Sequence, residues 1–140
     1  MSRFNKLFQQ LSKGANSGQN TIDILGRKIA FEDSANDIIH FSADVIFNSP
    51  RSSSDYIELS REFHTIFISN LNVIEEEDTA RRFIAFIDEC YDRNVKVIFL
   101  SNPLPHEIYT GKRLADKFQR TLSRLTEMQS NDYLQGRHKG

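Results

Sequence analysis

The sequence predicts an α/β fold containing at least one β-α-β unit, on the evidence of three stretches. His64–Ser69 reads HTIFIS and Val95–Ser101 reads VKVIFLS. Continuous apolar runs of that length suit strands buried on both faces, as in a parallel sheet. Between them, EEEDTARRFIAFIDECYDRN returns apolar residues at helical spacing, with Ala80, Phe83, Ile84, Ile87 and Tyr91 on one side. Strand, helix and strand over about 38 residues form a unit that is expected to cross over right-handed.

The remaining elements follow in order. Arg3–Leu11 presents Phe4, Leu7, Phe8 and Leu11 on one side, so it reads as a short amphipathic helix. KGANSGQN, Lys13–Asn20, has nothing to bury and reads as a linker, which makes residues 1–20 a leading helix and linker. TIDILGRKIAF and DIIHFSADVIF are rich in Ile, Val and Phe and partly alternate; both read as strands, with Gly26 at a turn or bulge. NSPRSSSDY is a loop, after which Ser54 or Asp55 is placed to cap the helix DYIELSREF. The acidic run Glu75–Asp78 sits at the N-terminal end of the central helix, where the helix dipole favours negative charge. NPLPHEIYTG breaks the chain. A last helix starts near Lys112 and keeps Leu114, Phe118, Leu122 or Thr121, Leu125 and Met128 on one face.

At 140 residues the chain is long enough for one domain with a real core. No apolar run approaches the roughly 20 residues of a membrane span. No apolar stretch marks a secretory signal at the start. The one cysteine, Cys90, suits a reducing compartment, so the expected location is the cytoplasm. Net charge is −1, but the charge is segregated. Asp55–Asp92 holds ten acidic and three basic residues, while Gly111–Gly140 holds three acidic and seven basic. Such segregation suits either two solvated surfaces or a basic tail that meets an anion or the acidic middle.

The basic residues have a pattern. Arg113, Lys117, Arg120 and Arg124 are spaced 4, 3 and 4, so they share one helix face. That face is either solvated and paired with the acidic segment or a holder of phosphate, carboxylate or a partner. Arg81 and Arg82 open the central helix beside four acids, either as local ion pairs or as arginines offered to a neighbouring subunit's phosphate. Asn102 follows the second apolar strand and Asn70 the first, at the carboxyl ends where open α/β sheets bind ligands. Both are also ordinary turn residues. His40, His64, His106 and His138 show no metal-ligand spacing, and Cys90 reads as a small buried hydrophobe. Neither G-x-x-x-x-G-K-[ST] nor G-x-G-x-x-G occurs in these 140 residues.

DYIELSREFHTIFISNLNVI, ARRFIAFIDECYDRNVKVIFLSN and FQRTLSRLTEMQSNDYL together resemble the C-terminal part of the ZapE/AFG-like ATPases, which are AAA+ P-loop proteins. The patterns RRFI-x-x-ID-x-x-YD and RT-x-SRL-x-EMQS carry the likeness over roughly Gly26–Leu134, leaving the first 25 residues outside it. The resemblance implies a partial P-loop/AAA+-type core with a βαβ unit and a C-terminal basic amphipathic helix, in which residues 21–140 are the C-terminal α/β portion of an ATPase-like domain. It implies ATP binding and hydrolysis with Mg2+ in the full-length protein, none bound by this chain alone, and a cell-division or protein quality-control role. Walker A and B motifs would lie upstream, and SNLN stands where the family has an acidic residue and proline, with Asn70 in the acidic place.

The resemblance further implies that Arg82, Arg120 and Arg124 act on the γ-phosphate and that Arg81 senses the nucleotide; Asn102 joins Arg81 in that role by its place after a parallel strand, and Arg113 and Lys117, from the basic stripe, are the expected partner contacts. The implied partners are a second copy, a P-loop-bearing chain of the family, or the cell-division tubulin homologue. The alternative is a P-loop-less interaction module that docks through the basic helix. Nucleic acid is not the expected partner, because the basic stripe is short and lacks an interleaved aromatic platform.

Overall fold

The computed structural model describes residues 20–49, 51–100, 105–136 and 138. The helix expected over Arg3–Leu11 and the site residue Asn102 lie outside them.

The first element is a hairpin. β1 (Asn20–Ile24) pairs antiparallel with β2 (Arg27–Phe31) in a register that sets Ile24 opposite Arg27. The expected turn is a two-residue one: Leu25 and Gly26 have φ of 53° and 83°. Positive φ at both central positions is what a twisted hairpin needs, and glycine supplies it without steric cost.

A second sheet runs in the order β3-β4-β5-β6. β3 (Asp33–Ala35) is antiparallel to β4 (Ile38–Ser42). β4, β5 (Thr65–Ser69) and β6 (Lys96–Phe99) are parallel. The fold is therefore mixed α/β, with a sheet that contains parallel strands. Consecutive parallel strands joined by crossovers of one hand leave their helices on one side of the sheet. There α2 (Ser53–Glu62) and α3 (Glu77–Asp92) pack on each other, and α4 (Ala115–Glu127) packs on α3. A short α5 (Asn131–Gln135) follows.

β5 is buried at all five positions, as its apolar run requires. β6 reads alike in sequence but is the outermost strand among the described residues, and Ile98 is 36% exposed. A sequence run reports hydrophobicity and not a strand's place in the sheet.

Three other expectations are corrected. DIIHFSADVIF is a strand only to Ser42; Ala43–Phe47 is a helix, α1, burying Ala43, Ile46 and Phe47 at helical spacing. The cap of α2 is Ser52, not Ser54 or Asp55. Asp55 lies three residues into the helix, and its Oδ2 accepts the Ser52 N–H at 3.0 Å, half of a capping box. The last helix begins at Ala115, so Arg113 precedes it and the four basic residues do not all lie on one helix.

The core is aromatic. Phe83 stacks on Phe118 at 5.8 Å between ring centroids and tilts against Phe47 at 5.2 Å, and Phe86 meets Phe47 and Tyr56 edge-on. The buried side of α3 is Thr79, Ala80, Phe83, Phe86, Ile87 and Cys90; Ile84 and Tyr91, expected there, lie half-buried at its margin. On α4 the buried residues are Phe118, Thr121 and Leu125, with Leu122 only half-buried.

Candidate functional site

Two of the sequence patterns meet face to face. RRFI-x-x-ID-x-x-YD forms most of α3, and RT-x-SRL lies on α4. Arg124 Nη1 pairs with Asp88 Oδ1, and its guanidinium lies 5.0 Å from the centroid of the Tyr91 ring. Arg120 Nη2 reaches the other Asp88 oxygen at 3.9 Å, at the limit of an ion pair. The Tyr91 hydroxyl donates to Glu127 Oε1 at 2.8 Å, and that bond is the first cause that raises its phenol above the ordinary tyrosine value. One carboxylate thus faces two arginines, which differ in freedom: the Arg124 side chain is 23% exposed and that of Arg120 is 69% exposed.

The C-terminal segment closes the same end of α3. Tyr133 stacks on Tyr91 at 6.1 Å, and its hydroxyl lies 2.6 Å from the Val95 carbonyl oxygen and 3.0 Å from that of Cys90. Burial pushes the Tyr133 phenol and the Cys90 thiol well above their ordinary values. Lys96 donates to the Gly136 carbonyl at 2.7 Å.

The other predicted residues are dispersed. Arg81 stands 3.8 Å from Asp78 on its own helix. Arg82 Nη1 donates to the Phe47 carbonyl at 3.0 Å, tying α3 to the end of α1. Arg113 pairs with Glu77, its Nε 3.4 Å from Oε1 and its Nη1 donating to Oε2 at 3.5 Å. Lys117 is exposed and has no ion-pair partner among the described residues. Asn70 ends β5 in the left-handed region, φ 61°, with Nδ2 3.4 Å from Ser42 Oγ.

Arg81, Lys117 and Arg120 come together around a groove of about 470 Å³ between α3 and α4. Ile84 and Ala85 line it as well, with Asp88 and Asp116. Three cations around a concavity can hold an anionic group. A smaller cavity of about 210 Å³ lies at the carboxyl ends of β4 and β5, lined by Asn48, Asn70, Asn72, Glu75 and Glu76 among others. Its charge is the wrong sign for phosphate. Among the described residues, no group of three His, Cys, Asp or Glu is placed to hold a metal ion. Among the described residues no helix is long and apolar enough to cross a membrane.

Sequence reasoning missed Asp88 and Tyr91, on which the arginines converge. Their spacing of three on one helix was visible in the sequence; their partners 36 and more residues away were not.

Fold and site together define a mixed α/β protein with a cationic groove on its helical layer and without a phosphate-cradling loop in these residues. The family model described as AFG1-like ATPase matches residues 1–137, and the chain belongs to that family. The match begins at residue 1, so the first 25 residues lie inside the likeness and not outside it. The chain is 40% identical over 139 residues to the cell division protein ZapE of Escherichia coli (strain K12), covering 98% of this chain and 37% of that protein. It is 28% identical over 165 residues to lactation elevated protein 1 homolog B of Danio rerio, covering 92% and 33%. The chain thus spans about a third of the length of these relatives. No solved structure matches it.

Proposed function

We propose that this chain is the part of an AAA+ ATPase of the AFG1-like family that presents an arginine-bearing face, while the longer family protein binds Mg2+ and ATP and hydrolyses the nucleotide. The α3–α4 layer is the C-terminal portion of that protein, and the phosphate cradle belongs to another part of it or to a neighbouring copy. A cell-division role is carried over from the printed name of the 40% identical relative.

The observation that carries the reading is the difference between Arg120 and Arg124. Arg124 is neutralised by Asp88 and packed on Tyr91, so it serves as a positioning residue for α4. Arg120 projects 69% exposed from the preceding turn and shares a carboxylate already taken. A guanidinium held that loosely can exchange its partner for a phosphate oxygen at little cost. Arg81 supplies a second cation across the groove. Arg82 acts through the Phe47 carbonyl and positions α3. Arg113 and Lys117 extend the contact face. Asn102 enters by its place in the sequence after β6.

The test is ATP turnover by the longest natural protein that carries this chain together with a P-loop. Arg120→Gln is expected to lower kcat by about tenfold or more, as loss of a phosphate-facing arginine does. Unchanged turnover would sink the phosphate role. A second reading, a protein contact made by the same face, is favoured by the apolar floor formed by Ile84 and Ala85, for which a phosphate has no use.

A further inference from the structure

The groove between α3 and α4 combines two features that a contact to a phosphate group alone would not need together. Its floor is Ile84 and Ala85, both half-buried, so part of each remains open to solvent. Its rim is Arg81 on one helix and Lys117 and Arg120 on the other. Asp88 adds no free negative charge, because Arg124 holds it. That leaves three cations, of which Arg81 has Asp78 at 3.8 Å and Arg120 has Asp88 at 3.9 Å, with Asp116 beside Lys117, on a concavity of about 470 Å³, within the range of ligand-binding clefts.

We infer that this groove binds an acidic amphipathic segment of a partner protein. An apolar side chain of that segment enters between Ile84 and Ala85, and carboxylates on either side of it pair with Arg81, Lys117 and Arg120. The apolar anchor provides most of the affinity, and the charged rim sets on-rate, orientation and rejection of basic segments. This rests on the protein-contact reading of the face and is independent of the phosphate role of Arg120.

The experiment is fluorescence anisotropy on the longest natural protein that carries this chain, the form used for ATP turnover. The probe is a labelled peptide of about 12 residues, three helical turns, rich in Glu and Asp with two Leu one turn apart. Saturable binding is expected, weakening several-fold between about 50 and about 200 mM salt. A peptide with both Leu replaced by Ser is expected to bind about tenfold more weakly. Lys117→Glu combined with Arg81→Glu is expected to weaken the leucine peptide by at least about tenfold. Both positions are exposed, and an unchanged melting curve verifies that the variant is folded. No binding, equal binding of the serine peptide, or indifference to the double variant each overturns the inference. Full displacement by ATP also overturns it and leaves the phosphate role standing. Peptide binding retained beside unchanged ATP turnover in Arg120→Gln sinks the phosphate role alone.

Discussion

At the C-terminal end of α3, Asp88 is closed in by Arg124, Tyr91 is covered by Tyr133, and the Cys90 carbonyl accepts a buried hydroxyl. At the N-terminal end of the same helix, Asp78 faces a half-exposed Arg81 at 3.8 Å, and Glu77 faces an exposed Arg113 at 3.4 Å. Both ends carry acids matched with arginines, and both matches look alike in sequence. They differ in what surrounds them. Where aromatic rings exclude water, a charge pair gains strength and fixes one arrangement; where water reaches it, the pair is worth little and its arginine stays available. The same contrast separates Arg124 from Arg120, four residues apart: both reach Asp88, but the Arg124 side chain is 23% exposed and that of Arg120 is 69% exposed.

The sharpest way to break this contrast is Tyr133→Ala. It removes a ring stacked on Tyr91 and takes the hydroxyl from the buried Val95 carbonyl, while the Cys90 carbonyl keeps the Val95 N–H at 2.9 Å, so a loss of about 3–4 kcal/mol in unfolding free energy is expected from the denaturant midpoint. A loss below about 1 kcal/mol would mean that the C-terminal end is not locked. Next comes Arg124→Ala, which deprives Asp88 of its partner and Tyr91 of its cation. About 1–2 kcal/mol is expected, since the pair is largely but not fully shielded.

Alkaline titration sharpens the same end. Tyr133 holds its proton more tightly folded than unfolded, because burial disfavours the phenolate. Its contribution is complete below the ordinary tyrosine value of about 10 and is lost as pH rises beyond it. The slope of stability against pH above that point should therefore be shallower in Tyr133→Phe; an identical slope would count against a buried phenol. The smallest effect belongs to the open end. Arg113→Ala should change stability by no more than about 0.5 kcal/mol, and a larger loss would erase the difference between the two ends.

What could be read from the sequence follows the range of the forces. HTIFIS announced a buried strand because every position of β5 meets apolar neighbours. VKVIFLS carried the same signal, yet β6 is outermost among the described residues, a fact fixed by strand order and absent from any window of sequence. ADVIF was read with the strand before it because five residues are too few to display a helical period. The Ser52 cap was legible as Ser-x-x-Asp, and the choice of Ser54 or Asp55 overlooked that spacing. At the site, the cations could be seen one by one. Their sorting into a clamped Arg124 and a loose Arg120 depends on Asp88, 36 positions from Arg124.

The hydrogen bond between His138 Nε2 and the Ser60 carbonyl joins residues 78 positions apart, and the Tyr133 hydroxyl completes carbonyls made about 40 residues before it. A ribosome adds about 5–20 residues per second. Ser60 therefore waits roughly 4–16 s, and the Cys90 and Val95 carbonyls roughly 2–9 s, for the residues that reach back to them. Until Tyr133 has been added, the Val95 carbonyl has no hydroxyl and the Tyr91 ring no stacking partner, so the C-terminal end of α3 is among the last parts of the helical layer to close.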